Sequence, residues 1–130
     1  MTMRRMFPAA FLAASLGLAT AQAATVEPYQ QSSFAAAQQA GKPILIFVEA
    51  PWCPTCAKER PILASLYDTP EFKNLQVFTV DFDTSKPLLR QLKVQMQSTL
   101  IVYHGGKETG RATGATDPDA IKKLLETSKT

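Results

Sequence analysis

Hydrophobic positions along this chain alternate between short β-rich runs and helix-spaced stretches, and the alternation predicts the elements in order. A short extended lead over residues 26–29 precedes a helix that Ser32 or Ser33 can cap and that Gly41 stops. Residues 44–48 read Ile-Leu-Ile-Phe-Val without a polar interruption, which suits a central strand covered on both faces. Pro54 fits the first turn of a second helix reaching to about Tyr67, with Pro61 as a kink inside it. A strand over 75–82, a helix over 85–92 and a strand over 99–103 follow. Gly105-Gly106 turns the chain into a further strand over 107–113, and Asp117-Pro118 opens a last helix through Ile121, Leu124 and Leu125. The predicted order is βαβαβαββα, a single α/β domain with a central mixed sheet flanked by helices.

The first 23 residues stand outside this alternation. Arg4 and Arg5 precede an apolar stretch over 7–19, and Ala21-Gln22-Ala23 has the small-x-small form of a signal-peptidase site. The stretch is too short to span a bilayer comfortably and no second apolar segment follows it, so cleavage after Ala23 is expected, not a stable membrane anchor. The twin arginines lack the rest of a twin-arginine motif, which leaves the Sec route and a periplasmic destination. The expected organisation is a signal peptide over 1–23 and one domain over 24–130, long enough for a single core. Charge changes with it. The whole chain carries +3, and losing Arg4 and Arg5 without any acid lowers this to +1, which removes the case for binding nucleic acid or a membrane surface.

The only two cysteines stand in Trp52-Cys53-Pro54-Thr55-Cys56, between the apolar run and the start of the second helix. Two intervening residues at a helix's first turn let the thiols close a small reversible ring. A cysteine at that end also has its thiolate stabilised by free backbone N–H groups and the helix dipole. Thiol–disulfide exchange is the expected chemistry, with no cofactor. An inert structural disulfide is the bland alternative, but so small a loop constrains the unfolded chain little. Pro51 and Trp52 are expected to form an apolar rim around Cys53 where a flexible partner docks. His104, the single histidine, reads as a polar turn residue at a strand end.

Trp-Cys-x-x-Cys after an apolar strand, Pro61 beyond it, Val80-Asp81-Phe82-Asp83, the Gly105-Gly106 hairpin and Gly114 before the last helix together resemble the thioredoxin-like superfamily over nearly the whole of 24–130. The Cys-Pro-Thr-Cys version followed by Glu59 resembles the periplasmic reductants of cytochrome c maturation. The resemblance implies the thioredoxin fold, Cys53 as the attacking and Cys56 as the resolving cysteine, and protein disulfide substrates docking around Trp52, Pro54, Thr55 and the loop Gln97-Ser98-Thr99. It also implies a monomer that takes electrons from a membrane-embedded donor, since the periplasm is kept oxidising. The family's oxidants usually carry an inserted helical domain and its isomerases a dimerisation domain, so reduction is expected, with a disulfide oxidase as an alternative.

Three positions depart from the thioredoxin pattern. Phe47 stands where thioredoxins bury an aspartate and Thr79 where its lysine partner would be, so the proton acceptor for Cys56 must be another group; Glu49 and Glu59 are the candidates. Met96-Gln97-Ser98-Thr99 replaces the loop in which thioredoxins carry a cis proline, and the Gln97–Ser98 bond is expected to be trans. Proline at position 98 is expected to restore that loop and raise activity towards insulin. Cys53, Cys56 and the Met96 thioether could also form a soft Cu(I) site, the reading as a periplasmic copper-handling protein.

Overall fold

The computed structural model describes residues 23–130, with Gly17 alone before them, so the expected signal peptide lies almost wholly outside the described residues. Its elements run β1 (Thr25–Pro28), α1 (Gln31–Gln39), β2 (Pro43–Glu49), α2 (Pro54–Tyr67), β3 (Gln76–Asp81), α3 (Lys86–Gln91), β4 (Thr99–His104), β5 (Lys107–Thr113) and α4 (Pro118–Glu126). Single 3₁₀ turns at Pro70–Phe72 and Thr127–Lys129 complete the chain. The order matches the sequence pattern, and boundaries shift by a residue or two.

Strand β2 lies in the middle of a five-stranded sheet ordered β1-β3-β2-β4-β5, parallel to β3 and antiparallel to β4. Its unbroken apolar run is explained by burial on both faces. Leu45 and Phe47 face a cluster holding Cys53, Cys56, Leu63, Leu100, Ile121 and Leu125, the layer of α2 and α4. Ile44, Ile46 and Val48 face Phe34, Phe78, Val80, Leu89 and Ile101, the layer of α1 and α3. The two-residue strand period thus divides one hydrophobic run between two cores.

Helix α1 starts earlier than the cap signal predicted. Gln30 takes the capping position without a side-chain bond, and Ser32 and Ser33 lie inside the first turn. Packing sets this start: the Phe34 ring, 5.4 Å from that of Tyr29 and 5.8 Å from that of Phe78, has to enter the core, and its N–H already bonds to the Gln30 carbonyl. Gly41 ends the segment as expected, at φ +67°, where a side chain would be strained. Asp117 caps α4, its carboxylate accepting from the Asp119 N–H at 3.1 Å. Pro61 lies within α2 without ending it.

Candidate active site

Strand β2 delivers the chain to the cysteines, and the local sequence sets their geometry. Cys53 occupies the N-cap of α2 in extended conformation, and Pro54 fills the first helical position, where its missing N–H costs nothing. The Cys53 Sγ accepts a hydrogen bond from the Cys56 N–H at 3.1 Å, so this sulfur satisfies one of the helix's free donors. Cys53 and Cys56 are joined as a disulfide with Cα atoms 5.3 Å apart. Cys56 is fully enclosed and Cys53 is 1% exposed, whereas Trp52 before them is 57% exposed and Pro54 projects to solvent. Thr55 is half-buried in the first turn.

Trp52 is oriented by a partner the sequence did not reveal. Its indole N–H donates to Asp83 Oδ2 at 2.8 Å, and Asp83 is held by a turn in which Asp81 Oδ1 accepts from the backbone N–H groups of Asp83 and Thr84. Asp81 followed two residues later by Asp83 is the signal that could have located this turn.

The two candidate carboxylates prove different in kind. Glu49, at the end of β2, pairs with Arg60 at 3.2 Å while the same guanidinium donates to the Ala50 carbonyl. It opens on a surface hollow of about 150 Å³ lined by Phe47, Leu63, Tyr67 and Thr79 but by neither cysteine. Glu59 is wholly buried. A solvated helix face, the bland reading of its position, does not hold. Its Oε1 accepts from the Ser98 hydroxyl at 2.6 Å, and its Oε2 is buried without a partner. Burial pushes the carboxyl up from its ordinary range; the Ser98 hydrogen bond and the Arg60 charge pull it down, and Glu49 adds to the rise. Both carboxylates act in turn on Tyr67, whose phenol burial already holds protonated.

Ser98 is itself unusual. It has φ +58°, a left-handed conformation that costs a residue with a side chain about 1–2 kcal/mol. Its carbonyl accepts from the Gly114 N–H at 2.8 Å, which fastens the loop to the end of β5. Thr99 Oγ1 donates to the Met96 carbonyl at 2.7 Å, closing the turn from the other side. The described residues contain no cis peptide, so Gln97–Ser98 is trans as expected. Gln97 is half-buried in this turn. Met96 is 52% exposed and lines a different hollow, with Gln95, Arg111 and Thr113 and without the cysteines. No cluster of three or more His, Cys, Asp or Glu suited to a metal occurs among the described residues. His104 stands exposed at the end of β4, its Nδ1 2.8 Å from the Ser128 carbonyl.

The family model described as Thioredoxin matches residues 25–127. The chain belongs to the thioredoxin family. Thioredoxin from Chlamydia trachomatis is 33% identical over 100 residues, covering 77% of this chain and 95% of that protein. Thioredoxin from Chlamydia muridarum is 31% identical, covering 77% and 95%. Among solved structures, Trxlp from Edwardsiella tarda EIB202 superposes with a TM-score of 0.76 at 44% identity, covering 78% of this chain and 98% of that one. The protein is therefore a thioredoxin-like thiol:disulfide oxidoreductase, and such proteins act on protein disulfides. These relatives are named thioredoxins, which places the chain in the family without narrowing it to the cytochrome c maturation reductants. Two of the three departures seen in sequence meet in the sheet. Phe47 and Thr79 are direct cross-strand partners, which puts an apolar ring next to a hydroxyl-bearing residue. The described residues include no helix long and apolar enough to cross a membrane.

Proposed function

We propose that the protein is an exported disulfide reductase in which Cys53 attacks and Cys56 resolves. The observation that carries these roles is the placement of the Cys53 sulfur as the N-cap of α2, with Cys56 enclosed one turn inside. On reduction the same backbone donors and dipole stabilise a Cys53 thiolate, which attacks a substrate disulfide held against the Trp52, Pro54 and Thr55 rim and the Gln97-Ser98-Thr99 turn. One substrate sulfur leaves as a thiolate and the other joins Cys53. Cys56 then gives up its proton, attacks the Cys53 sulfur, and expels the second substrate thiolate, leaving the Cys53–Cys56 disulfide.

Glu59 is the proton acceptor favoured here over Glu49. It lies one helical turn beyond Cys56, is buried, and retains an unpartnered oxygen, whereas Glu49 is engaged by Arg60 at the surface. The leader over 1–23 supports export to the periplasm, where a membrane-embedded donor would return the reducing electrons. The absence of an inserted helical domain within 24–130 supports reduction over oxidation, and Glu59 after Cys-Pro-Thr-Cys keeps the cytochrome c maturation reading in view. Equilibration of the Cys pair with glutathione and with thioredoxin tests the direction: a potential near that of thioredoxin is expected, and one near the strong periplasmic oxidants overturns the reductase reading. Cys56→Ser is expected to trap mixed disulfides and Cys53→Ser to trap few; the reverse pattern exchanges the two roles.

A further inference from the structure

The Ser98–Glu59 contact joins two parts of the molecule that lie 39 residues apart in sequence, the turn leading into β4 and the helix carrying the cysteines. Nothing local requires it. Ser98 adopts a backbone conformation that glycine would occupy without strain, yet it bears a side chain, is 3% exposed, and spends its one hydroxyl proton on Glu59 Oε1. The neighbouring bonds from Gly114 N–H to the Ser98 carbonyl and from Thr99 to the Met96 carbonyl hold the turn in place. The carboxyl is thus held through one oxygen, and the other is buried without a hydrogen-bond partner.

We propose that Ser98 is a positioning residue for proton transfer: its hydroxyl fixes the Glu59 carboxylate through Oε1 and leaves Oε2 to receive the Cys56 thiol proton. This rests on the reading of Cys56 as the resolving cysteine and Glu59 as its acceptor. In the resolving step the S–H electron pair stays on Cys56, the proton passes to Glu59, the new Cys56–Cys53 bond forms, and the Cys53–substrate bond breaks with its electrons leaving on the substrate thiolate. The proton then leaves to that thiolate or to solvent. The other groups acting on Glu59 are the Arg60 guanidinium, the Glu49 carboxylate and the neighbouring Tyr67 phenol.

The test uses the reduced, full-length mature protein and a small aromatic disulfide whose released thiolate absorbs light. Attack by Cys53 releases one thiolate in a concentration-dependent phase, and resolution by Cys56 releases the second in a concentration-independent phase. Ser98→Gly removes the hydroxyl and suits φ +58°, so folding is preserved. It is expected to slow the second phase roughly tenfold or more, the loss expected for one hydrogen bond to a charged group, and to slow the first phase, which reads docking at the same turn, far less. The acid limb of the second phase should move to higher pH, because the lost bond favoured the ionised carboxylate. Glu59→Gln should slow the same phase, and the double variant should be no slower than Glu59→Gln alone. A normal second phase in Ser98→Gly beside a slow one in Glu59→Gln overturns the role of Ser98 and leaves Glu59 as acceptor. Normal second phases in both remove Glu59 as acceptor as well. Equal slowing of both phases by Ser98→Gly also overturns the proposal, assigning the residue to docking alone.

Discussion

Replacing Glu59 by glutamine isolates the cost of a buried charge. Burial raises the carboxyl's pKa in the folded protein above its value in the unfolded chain. Between the two values the native state keeps a proton that the unfolded chain has released, so unfolding free energy falls as pH rises through this window. The cost is absent below the unfolded value and complete above the folded one. Each unit of elevation is worth about 1.4 kcal/mol, a tenfold change in the folding constant. The Ser98 bond and Arg60 reduce the elevation, so the net cost is smaller than burial alone would impose. Glutamine keeps the shape, still accepts from the Ser98 hydroxyl, and leaves one polar atom unpartnered as before, so the comparison reads charge and little else. Urea unfolding of the oxidised protein from about pH 4 to about pH 8 is the assay, spanning the carboxylate range. The glutamine variant should match the parent at the acid end and gain on it steadily as pH rises. A difference that stays flat, or a parent that gains relative to the variant, would refute the assignment of Glu59 as a carboxyl whose ionised form is disfavoured by the fold.

Ser98→Pro should not restore a conventional docking loop, contrary to the expectation from sequence. Proline holds φ near −65° and Ser98 stands at +58°, and the orphaned Glu59 oxygen adds about 1.5–3 kcal/mol; denaturation should show a clear loss of stability, and a parent-like midpoint would refute this. Met96→Leu should leave Cu(I) affinity of the reduced protein unchanged in competition with a coloured chelator, because Met96 lines a hollow apart from the cysteines, and weakened binding would reinstate it as a ligand.

The central strand and the cysteine pair were legible in sequence because each is defined locally: an unbroken apolar run, and a two-residue spacing before a helix-starting proline. Helix α4 was legible for the same reason, through Asp117 and Pro118. The start of α1 was not, since the burial of Phe34 against Tyr29 and Phe78 overrides the capping preference of the nearby serines. Periodicity put Glu49 on the Phe47 face but could not supply Arg60, whose reach back to the strand end depends on how α2 packs. Glu59 was named as a candidate, but its burial was not legible. Helical spacing related it to Cys56 but could not tell a solvated position from an enclosed one, because what encloses it arrives from a loop distant in sequence. Ser98 stood out only as a missing proline, and neither its left-handed backbone nor the direction of its hydroxyl leaves a local mark.

The sheet's two outer strands bear on how such a protein survives its own substrates. Chains that present a disulfide for reduction are often loosened, with bare strands of their own, and an open sheet edge would invite them to add on by backbone pairing. One edge here is β1, four residues long, with Glu27 and with Pro28, which has no N–H to offer. The other is β5, whose exposed Lys107, Glu108 and Arg111 place charge along the row an incoming strand would have to cover. Contact with an unfolded client is thereby discouraged along the flanks of the sheet, and the sulfur end remains the place where it can be held and released.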